Sequence, residues 1–384
     1  MPDTVLISGA RAPVAQDIAR AFKAAGAQVH LVDSVTPWAA SAIKPGFDIH
    51  KVARPRQTFT TFRADLLRLV KTLKPSLIIP TCEEVFWVVA AAERDHYLDR
   101  VFAPPLETLR KLHSKFEFIQ LARNAGLNTV DTYCLDAEIS SGDLPFKLED
   151  SVFKPEFSRF ATHTLIGPKS EALKKVTPTR DKRWVVQKRI RGEEFCSYAA
   201  IHQGRISAFA AYRPRWRQGN AAAFQMEAVS HSGIQEITEK IADLTGMSGH
   251  LSFDVVVDEH GVAWPIECNP RAVSGVHLFD AAPELAHAIR CGMPCETPKD
   301  GELRHMSAGM WMLGAPSALF SGKLPQFVRD WRTSEDIIDR EGNLLTQLGC
   351  LADAVRFTWQ AMRNGISPAG ATTADIEWDG EPIP

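Results

Sequence analysis

The first hundred residues alternate between short apolar runs and longer amphipathic segments, and this alternation restricts the fold more than any other feature of the chain. TVLIS, QVHLVD and PSLIIPT have the length and content of strands, whereas PVAQDIARAFKAAG and TFRADLLRLVKTLK have helical periodicity. Strands that alternate with helices in this way form a parallel sheet with helices packed against it. We therefore predict an N-terminal α/β domain with a doubly wound parallel sheet.

Gly9 and Asp33 raise the alternative of a dinucleotide site in this domain. An acid about 20 residues after a glycine-rich turn is typical of such sites. The turn GARAPVA, however, has a single glycine where the fingerprint needs others for the pyrophosphate and for helix packing. An ordinary turn between a strand and a helix is the interpretation that we favour.

From residue 151 to about residue 300 the chain is rich in β-type runs with helical segments between them, which predicts an α+β arrangement. A net charge of −2 over 384 residues argues against a dedicated nucleic-acid-binding protein. The sequence lacks a signal-peptide pattern and any apolar run long enough to span a bilayer. Seven cysteines without CxxC pairs favour reduced thiols. We expect a cytoplasmic protein that contacts neither nucleic acid nor membranes.

The segment LSFDVVVDEHGVAWPIECNPR reads as two strands joined by a tight turn. If residues 258–261 form the turn, Asp254 faces Pro265 and Ser252 faces Glu267. Side chains in a strand alternate between faces, so the apolar face collects Leu251, Phe253, Val255, Val257, Val262, Trp264, Ile266 and Cys268, and the polar face collects Ser252, Asp254, Glu267 and Asn269. Asp254 and Glu267 are then diagonal neighbours, about 7–8 Å apart at the backbone.

Two carboxylates on one half-buried face repel each other unless one is protonated or a cation lies between them. With the side-chain carbonyl of Asn269, Asp254 and Glu267 form an all-oxygen ligand set that suits Mg²⁺ and also Mn²⁺. Arg271, at the next position on this face, can contact a phosphate or a substrate carboxylate. The alternative is a polar sheet face that is simply exposed to solvent.

A second unusual feature is a positive charge at the start of a predicted helix. Ser114 and Glu117 have the S-x-x-E spacing of a capping box, which predicts that this helix starts at Ser114. Lys115 then lies in the first helical turn, where the helix dipole disfavours a cation. A lysine in such a place is common on protein surfaces, but it gains a function if an anion binds there.

The segment RWVVQKRIRGEEF is a β run that ends in a glycine-containing turn with two acids. It resembles the hinge of the ATP-grasp superfamily. This resemblance implies that the side chain of Gln187 and the backbone from Lys188 to Ile190 contact adenine. It also implies that Glu194 binds the ribose hydroxyls.

Other parts of the chain match the same superfamily in the same order. Lys115 and Lys154, the lysine of FKP, match its two phosphate-binding lysines. Asp254, Glu267 and Asn269 match the D…E-x-N metal ligands of the superfamily, at the separations seen in D-alanine–D-alanine ligases. Arg271 completes E-x-N-x-R, as in biotin carboxylase and carbamoyl phosphate synthetase. Four ordered matches between about residues 110 and 275 make the resemblance more specific than any single motif.

The resemblance implies an ATP-grasp fold preceded by the α/β domain that is typical of the superfamily. We predict four parts: an N-terminal α/β domain in residues 1–105, a lid subdomain with linking helices in residues 106–192, a second grasp subdomain with the metal site in residues 193–300, and a C-terminal extension in residues 301–384.

Two departures from the superfamily pattern affect the predicted site. The loop after the second lysine, EFSRFATHT, lacks the usual glycines, so the side chains of Ser158, Arg159 and Thr162 would contact phosphate instead. A rigid hairpin tip without ligand contacts is the alternative. Ser252 stands where D-alanine–D-alanine ligases have an arginine, so Arg271 would have to supply that charge. D-alanine specificity is therefore not implied.

The implied activity is that of an ATP-dependent carbon–nitrogen ligase. It activates a carboxylate as an acylphosphate, releases ADP and phosphate, and forms an amide or peptide bond with an amine. Arg271 and Lys154 are the predicted catalytic residues, since both would stabilise the charge on the transferred phosphoryl group. Two alternatives stay open, namely a nucleotide-binding regulatory protein without turnover and a carboxylase-type enzyme that activates bicarbonate.

The residues that bind the substrates are less constrained by the sequence. Arg213, Arg215 and Arg217 in YRPRWRQG could bind an anionic substrate, or they could form a solvated strand edge. Glu83 and Glu84 follow a predicted strand and could bind an amine, or they could simply favour the start of a helix. The expected partners are a small-molecule carboxylate and an amine, and a homodimer is possible.

Overall fold

The computed structural model describes residues 3–137, 144–158, 163–217 and 223–384. These residues form three β-sheets, two of four strands and one of seven strands. Arg159 and Thr162, two of the predicted phosphate contacts, lie outside the described residues.

The N-terminal sheet is entirely parallel, as the alternation of strands and helices predicts. Its strands are β1 (Thr4–Ser8), β2 (Gln28–Asp33), β3 (Asp48–Lys51) and β4 (Leu77–Pro80), in the order β3-β2-β1-β4. The helices that connect or follow these strands are α1 (Pro13–Ala24), α2 (Trp38–Ala42), α3 (Phe59–Leu73) and α4 (Val85–Arg94). Since the strand order reverses direction at β1, the carboxyl ends of β1 and β4 border the crevice where such sheets usually bind ligands.

Two short helices, α5 (Leu106–His113) and α6 (Lys115–Asn124), lead from this sheet to a small antiparallel sheet. The small sheet contains β5 (Thr132–Leu135), β6 (Ser151–Pro155), β7 (Leu165–Ile166) and β8 (Trp184–Lys188), in the order β5-β8-β6-β7. One of its faces packs on a core formed by Leu135, Phe153, Val176, Trp184 and Val186. Its other face is left to form part of a site.

The central sheet has seven strands in the order β13-β12-β9-β10-β11-β14-β15. Its strands are β9 (Glu193–His202), β10 (Arg205–Pro214), β11 (Gln225–Val229), β12 (Gly249–Val257), β13 (Ala263–Asn269), β14 (Leu303–His305) and β15 (Glu335–Asp336). Helix α7 (Ser232–Thr245) packs against one face of this sheet, and α8 (Pro283–Cys291) packs near β9 and β10. Strands β14 and β15 show that part of the predicted C-terminal extension belongs to the central sheet.

The remaining helices come from the last eighty residues. They are α9 (Ser307–Gly309), a π-helical turn (Met310–Gly314), α10 (Ala315–Phe320), α11 (Leu324–Arg332), α12 (Leu344–Asn364) and α13 (Pro368–Ala371). Among the residues described, no helix has the length and apolar content that crossing a bilayer requires. The domain boundaries given above stay predictions.

The segment after α13 packs over the carboxyl edge of the N-terminal sheet. Arg11 binds both Asp33, at 2.6 Å, and Asp375, at 2.7 Å, and all three side chains are largely buried. The Trp87 indole donates a hydrogen bond of 3.0 Å to the carbonyl of Ile376. Asp33, the residue that raised the dinucleotide alternative, is therefore held in an ion pair beneath the C-terminal segment.

Candidate functional site

The hairpin that carries the predicted metal ligands has a different register from the one that the sequence suggested. Asp254 pairs directly with Glu267, and Ser252 pairs with Asn269. The prediction that Asp254 faces Pro265 is therefore wrong, as is the diagonal relation of the two acids. The turn is one residue longer than expected, and Ile266 is an extra residue that creates a β-bulge next to Asp254.

The side chain of Asp258 explains the longer turn. Its carboxylate accepts hydrogen bonds from the backbone N–H of His260 at 2.9 Å and of Val262 at 3.0 Å, and from the Trp264 indole at 2.8 Å. Trp264 pairs with Val256, so it lies on the face of Asp254 and not on the apolar face that we predicted. Cys268, in contrast, is part of the core, as predicted.

The corrected register brings the two carboxylates closer together. Directly opposed residues in an antiparallel pair have Cβ atoms about 4.5–5.5 Å apart, less than the diagonal spacing. Burial, and secondly the charge of Glu267, raises the pKa of Asp254 to about 6. The Cys196 thiol donates to Asp254 Oδ1 at 3.2 Å, and Asn269 Nδ2 lies 3.4 Å from Oδ2. A cation between the acids would relieve their repulsion.

Lys115 is the first residue of α6 and its side chain is fully buried. Its Nζ donates to the carbonyl of Ser158 at 2.7 Å and lies 3.5 Å from Glu267 Oε2. The cation that the helix dipole disfavours is thus stabilised by one of the two acids of the hairpin.

Only half of the predicted capping box forms. Ser114 Oγ accepts a 3.0 Å hydrogen bond from the Glu117 N–H, which confirms the helix start. The Ser114 N–H bonds to the Arg110 carbonyl, and the Glu117 carboxylate lies 3.5 Å from the Arg110 guanidinium. The return contact from Glu117 to the Ser114 backbone is therefore replaced by contacts with the preceding helix.

Lys154 and Gln187 lie on the face of the small sheet that is opposite its core. Lys154 pairs with Val185, and Gln187 pairs with Val152, so all four side chains share this face. Burial lowers the pKa of Lys154 to about 8, while Glu267 and Asp254 act in the opposite direction. Lys154 of the small sheet is therefore within electrostatic range of the hairpin acids.

Gln187 is buried and its amide group is only partly satisfied. Nε2 donates to the Thr132 hydroxyl at 3.2 Å, whereas Oε1 has no hydrogen-bond partner among the described residues. A buried acceptor without a donor is costly unless a ligand supplies the donor. The following segment, from Lys188 to Ile190, connects the small sheet to the central sheet, with the Lys188 N–H bonded to the carbonyl of Asp131 at 2.9 Å.

Glu194 lies just beyond this connection, at the start of β9, and it forms an ion pair with Arg217. Glu194 pairs in register with Val256, so it lies on the same face of the central sheet as Asp254. Gly192 is needed between the sheets because a Cβ there would come within 2.1 Å of the Val257 carbonyl oxygen. The segment predicted to be the hinge therefore runs along the end of the hairpin that carries Asp254 and Glu267.

Arg271 links the hairpin to the N-terminal sheet. Its Nε donates to Glu83 Oε1 at 2.7 Å, and one of its terminal nitrogens donates to Asn269 Oδ1 at 3.2 Å. Ser252, the residue in the place of an arginine, donates its hydroxyl to the Arg271 carbonyl at 2.8 Å. The predicted substrate residue Glu83 thus lies beside the predicted catalytic arginine.

Glu84, in contrast, does not join this cluster. Its Oε1 accepts hydrogen bonds from the Ser8 hydroxyl at 2.8 Å and from the Thr81 N–H at 3.0 Å, and burial raises the pKa of its carboxyl group. A Cβ on Gly9 would come within 2.9 Å of this oxygen. Glu84 therefore ties together the ends of β1 and β4.

The predicted arginine cluster is already paired with acids. Arg213 lies 2.6 Å from Glu193, and Arg215 lies 3.1 Å from Glu227. Arg217 pairs with Glu194, as described above. Ser158 is closer to the site, but its hydroxyl donates to the Pro155 carbonyl and only its own carbonyl contacts Lys115.

Glu156 and Trp378, which lie near the segment after Lys154, were missed by the sequence interpretation. Glu156 is buried, contacts Arg183 at 2.7 Å and accepts a 2.5 Å hydrogen bond from Ser114. Trp378 packs edge-to-face on Phe157, with ring centroids 5.0 Å apart. Glu156 directly follows FKP, which was its only signal, and nothing local in the sequence relates Trp378 to this segment.

His113 is also part of this region. Burial lowers its pKa to about 4, with Glu83, Lys115 and Glu267 among the charges that act on it. Its ring lies 5.9 Å from that of Phe157, and its Nδ1 is buried without a hydrogen-bond partner among the described residues. The imidazole therefore adds no positive charge to the site at neutral pH.

The structure thus brings together two lysines, two carboxylates and the amide of Asn269, which come from the four elements α6, β6, β12 and β13. Within the described part of the chain, no three His, Cys, Asp or Glu side chains form a group that could hold a metal alone. The set Asp254, Glu267 and Asn269 has two carboxylates and one amide, which matches the way Mg²⁺ is usually held together with substrate phosphates and water.

The chain matches no family model and no curated protein sequence. Several solved structures resemble it. An L-amino acid ligase from Bacillus licheniformis is 16% identical with a TM-score of 0.53, covering 72% of this chain and 68% of its own. Phosphoribosylamine–glycine ligase from Thermotoga maritima is 18% identical with a TM-score of 0.57, covering 78% of each chain.

A carboxyaminoimidazole ribonucleotide synthase from Aspergillus clavatus, solved in complex with ATP, is 14% identical to the chain. Its TM-score is 0.62, and the match covers 83% of this chain and 87% of that one. These structures share the ATP-grasp fold, which confirms the predicted fold class. At such low identities the likeness concerns the fold.

Proposed function

We propose that the protein is an ATP-dependent ligase that activates a carboxylate as an acylphosphate and joins it to an amine. The observation that carries this proposal is the convergence of Lys115 and Lys154 on the paired acids Asp254 and Glu267. The lysines come from a helix and from the small sheet, and the acids come from the central sheet. Such a cluster is costly in isolation, but it complements a polyphosphate with a bound divalent cation.

The nucleotide would lie between the small sheet and the central sheet. Lys115 and Lys154 would bind the phosphates, which would offset the cost of burying Lys154 as an ammonium group. Gln187 Oε1, an acceptor that lacks a donor, suits the exocyclic amine of adenine. Glu194 would bind the ribose after exchanging its contact with Arg217, and the backbone from Lys188 to Ile190 would border the base.

Mg²⁺, or Mn²⁺, would be held by Asp254, Glu267 and Asn269. Burial and the charge of Glu267 raise the pKa of Asp254, and a cation at this position would favour the ionised form of its carboxylate. When bound, the metal supplies charge neutralisation for the phosphates. The Cys196 thiol, whose pKa is raised by burial and by Asp254, stays protonated and remains a donor to that carboxylate.

In the first step a carboxylate oxygen attacks the γ-phosphorus, and the bond to the bridging oxygen breaks as ADP leaves with the electron pair. Lys154 and Arg271 stabilise the charge on the transferred group and need no proton transfer. In the second step the amine nitrogen attacks the acyl carbon, the carbon–oxygen bond to phosphate breaks, and the amine loses a proton. Arg271 is held for this role by Glu83 at 2.7 Å.

The direct test is ADP release from the purified chain with pools of carboxylates and amines. We expect release that depends on both a carboxylate and Mg²⁺. Release with bicarbonate alone would favour the carboxylase-type alternative, and tight nucleotide binding without release under any pair would favour the regulatory alternative.

Two variants test the role of the acids. D254N and E267Q should each lower turnover at least about a hundredfold while the protein stays folded. The matched control is E259Q in the turn of the same hairpin, where the side chain is exposed, and it should leave turnover unchanged. Normal ADP production by both D254N and E267Q would exclude the proposed metal site.

A further inference from the structure

Helix α12 is apolar on two faces, although only one face is covered. Its buried face packs against α2, where a Cβ on Gly349 would come within 2.7 Å of the Trp38 carbonyl oxygen. On the same side, Asp353 accepts a 3.1 Å hydrogen bond from the Ala39 N–H. Large apolar side chains also follow the opposite side of the helix, which faces solvent. An apolar stripe on a helix is normally buried against another element.

Seven large apolar residues form this exposed row, which we call the α12 stripe. Each of them is between 41% and 71% exposed, namely Leu344, Leu348, Leu351, Val355, Trp359, Met362 and Ile366. From Leu344 to Met362 every exposed residue is apolar except Thr358. The stripe itself carries no charged side chain, so it does not suit nucleic acid or an acidic peptide. The helix has two arginines, Arg356 and Arg363, and no lysine, which is fewer than the Lys- and Arg-rich polar face of membrane-binding helices. The stripe suits an equally apolar protein surface.

The spacing of the α12 stripe is symmetric about its centre. Apolar residues lie 4 and 7 positions away on either side of Val355, and Leu344 and Ile366 lie 11 positions away, with Ile366 just after the helix ends at Asn364. Read in the opposite direction, the helix from Leu348 to Met362 therefore presents the same row. Leu345, which is 57% exposed, lies outside this symmetric part of the helix. Two copies packed antiparallel around an axis at Val355 would place Leu351 against Trp359 and Leu348 against Met362, in every layer at once. An isologous interface requires this kind of self-complementary patch.

The exposed area is also adequate for a dimer. The α12 stripe leaves exposed the equivalent of about four large apolar side chains, or on the order of 700 Å² at roughly 150–200 Å² each. Monomers rarely expose a contiguous apolar patch of more than a few hundred Å². A specific interface buries about 800 Å² on each partner. One copy of α12 therefore supplies most of the surface that a stable pair requires.

We propose that a second copy of this chain covers the α12 stripe, through an antiparallel α12–α12 contact with its two-fold axis at Val355. The elements that α12 packs against most closely are α2, α9 and α13, and none of these three carries a hairpin acid. The dimer contact therefore does not depend on the proposed function, and its test does not require activity.

The first experiment measures the mass of the purified full chain by light scattering and by sedimentation at several concentrations. We expect a dimer, and we expect V355E to raise the dissociation constant at least about a hundredfold, because two glutamates would face each other at the axis. L244E, an exposed leucine on α7, is the control and should remain dimeric. A monomer at concentrations up to about 100 µM, or a dimer that V355E leaves intact, would refute the proposal.

A charge exchange tests the antiparallel register itself. In the double variant L348K/M362K like charges meet in two layers, so we expect a monomer. In L348K/M362E each lysine meets a glutamate of the other copy, so association should recover by at least about tenfold relative to the first double variant. Circular dichroism checks that both variants are folded. Equal association of the two double variants would exclude this pairing.

Discussion

Raising the pH should weaken nucleotide binding well before it affects the fold, because Lys154 is a buried ammonium group. Its pKa is lowered by burial to about 8. A bound triphosphate favours the protonated form, so affinity is complete below the pKa of the free protein and declines above it. Each further pH unit should weaken binding about tenfold, since one pKa unit corresponds to about 1.4 kcal/mol.

The acidic side of the same profile depends on Asp254. Its pKa is raised to about 6 by burial and by Glu267, and the metal requires the ionised carboxylate. Metal-dependent binding is therefore complete above this pKa and declines as the pH falls through it. The affinity for the magnesium nucleotide should be highest between about pH 6 and pH 8.

The measurement is the dissociation constant of a non-hydrolysable ATP analogue with Mg²⁺ from pH 5.5 to 9.5, by calorimetry in buffers of different ionisation enthalpy. Proton uptake on binding should rise as the pH passes the pKa of free Lys154 and approach one proton above it. K154M should bind weakly and lose the alkaline decline, whereas K154R, which stays charged, should lose the decline with less loss of affinity. An alkaline decline that persists in K154M would refute the assignment of this limb to Lys154.

Two further predictions concern binding and stability. Q187A should weaken ATP binding by about 1 kcal/mol and lower the preference for ATP over GTP, because the proposed acceptor for the adenine amine is lost. Equal preference for ATP over GTP in the variant and in the parent protein would contradict this contact. W378A should lower the free energy of unfolding in urea by roughly 3–5 kcal/mol, since the ring is buried against Phe86 and Phe157. The control L244A, at an exposed position, should change this free energy little.

The features that could be predicted from the sequence depend on local spacing. Alternation of strands and helices predicted the parallel sheet, and the alternation of side chains within strands placed Asp254, Glu267 and Asn269 on one face. The start of α6 at Lys115 followed from a cap residue and one local hydrogen bond. Each of these patterns involves neighbours in the chain, so residue order alone carries the information.

The remaining features depend on contacts between distant residues or on an exact register. In the hairpin, the Asp258 side chain stabilises a turn that is one residue longer than expected, and a bulge at Ile266 changes the pairing register of the strands. Neither effect changes the order of polar and apolar residues in the sequence. The contact of Arg271 with Glu83 joins residues 188 positions apart. Trp378 packs on Phe157, more than 200 residues earlier in the chain, and no periodicity relates the two segments.

The contact between Lys115 and Glu267 couples the proposed nucleotide and metal sites. Without ligands these two side chains form an ion pair at 3.5 Å. A phosphate that binds Lys115 therefore frees Glu267 for the cation, and a cation that binds Glu267 frees Lys115 for the phosphate. E267Q removes the competitor for Lys115, and we therefore expect it to bind the nucleotide without metal at least as tightly as the parent protein, while losing most of the gain from Mg²⁺. Titrations in excess chelator and in excess Mg²⁺ measure both quantities. If E267Q instead bound metal-free nucleotide more weakly, Glu267 would position Lys115 for the phosphate and would not compete for it.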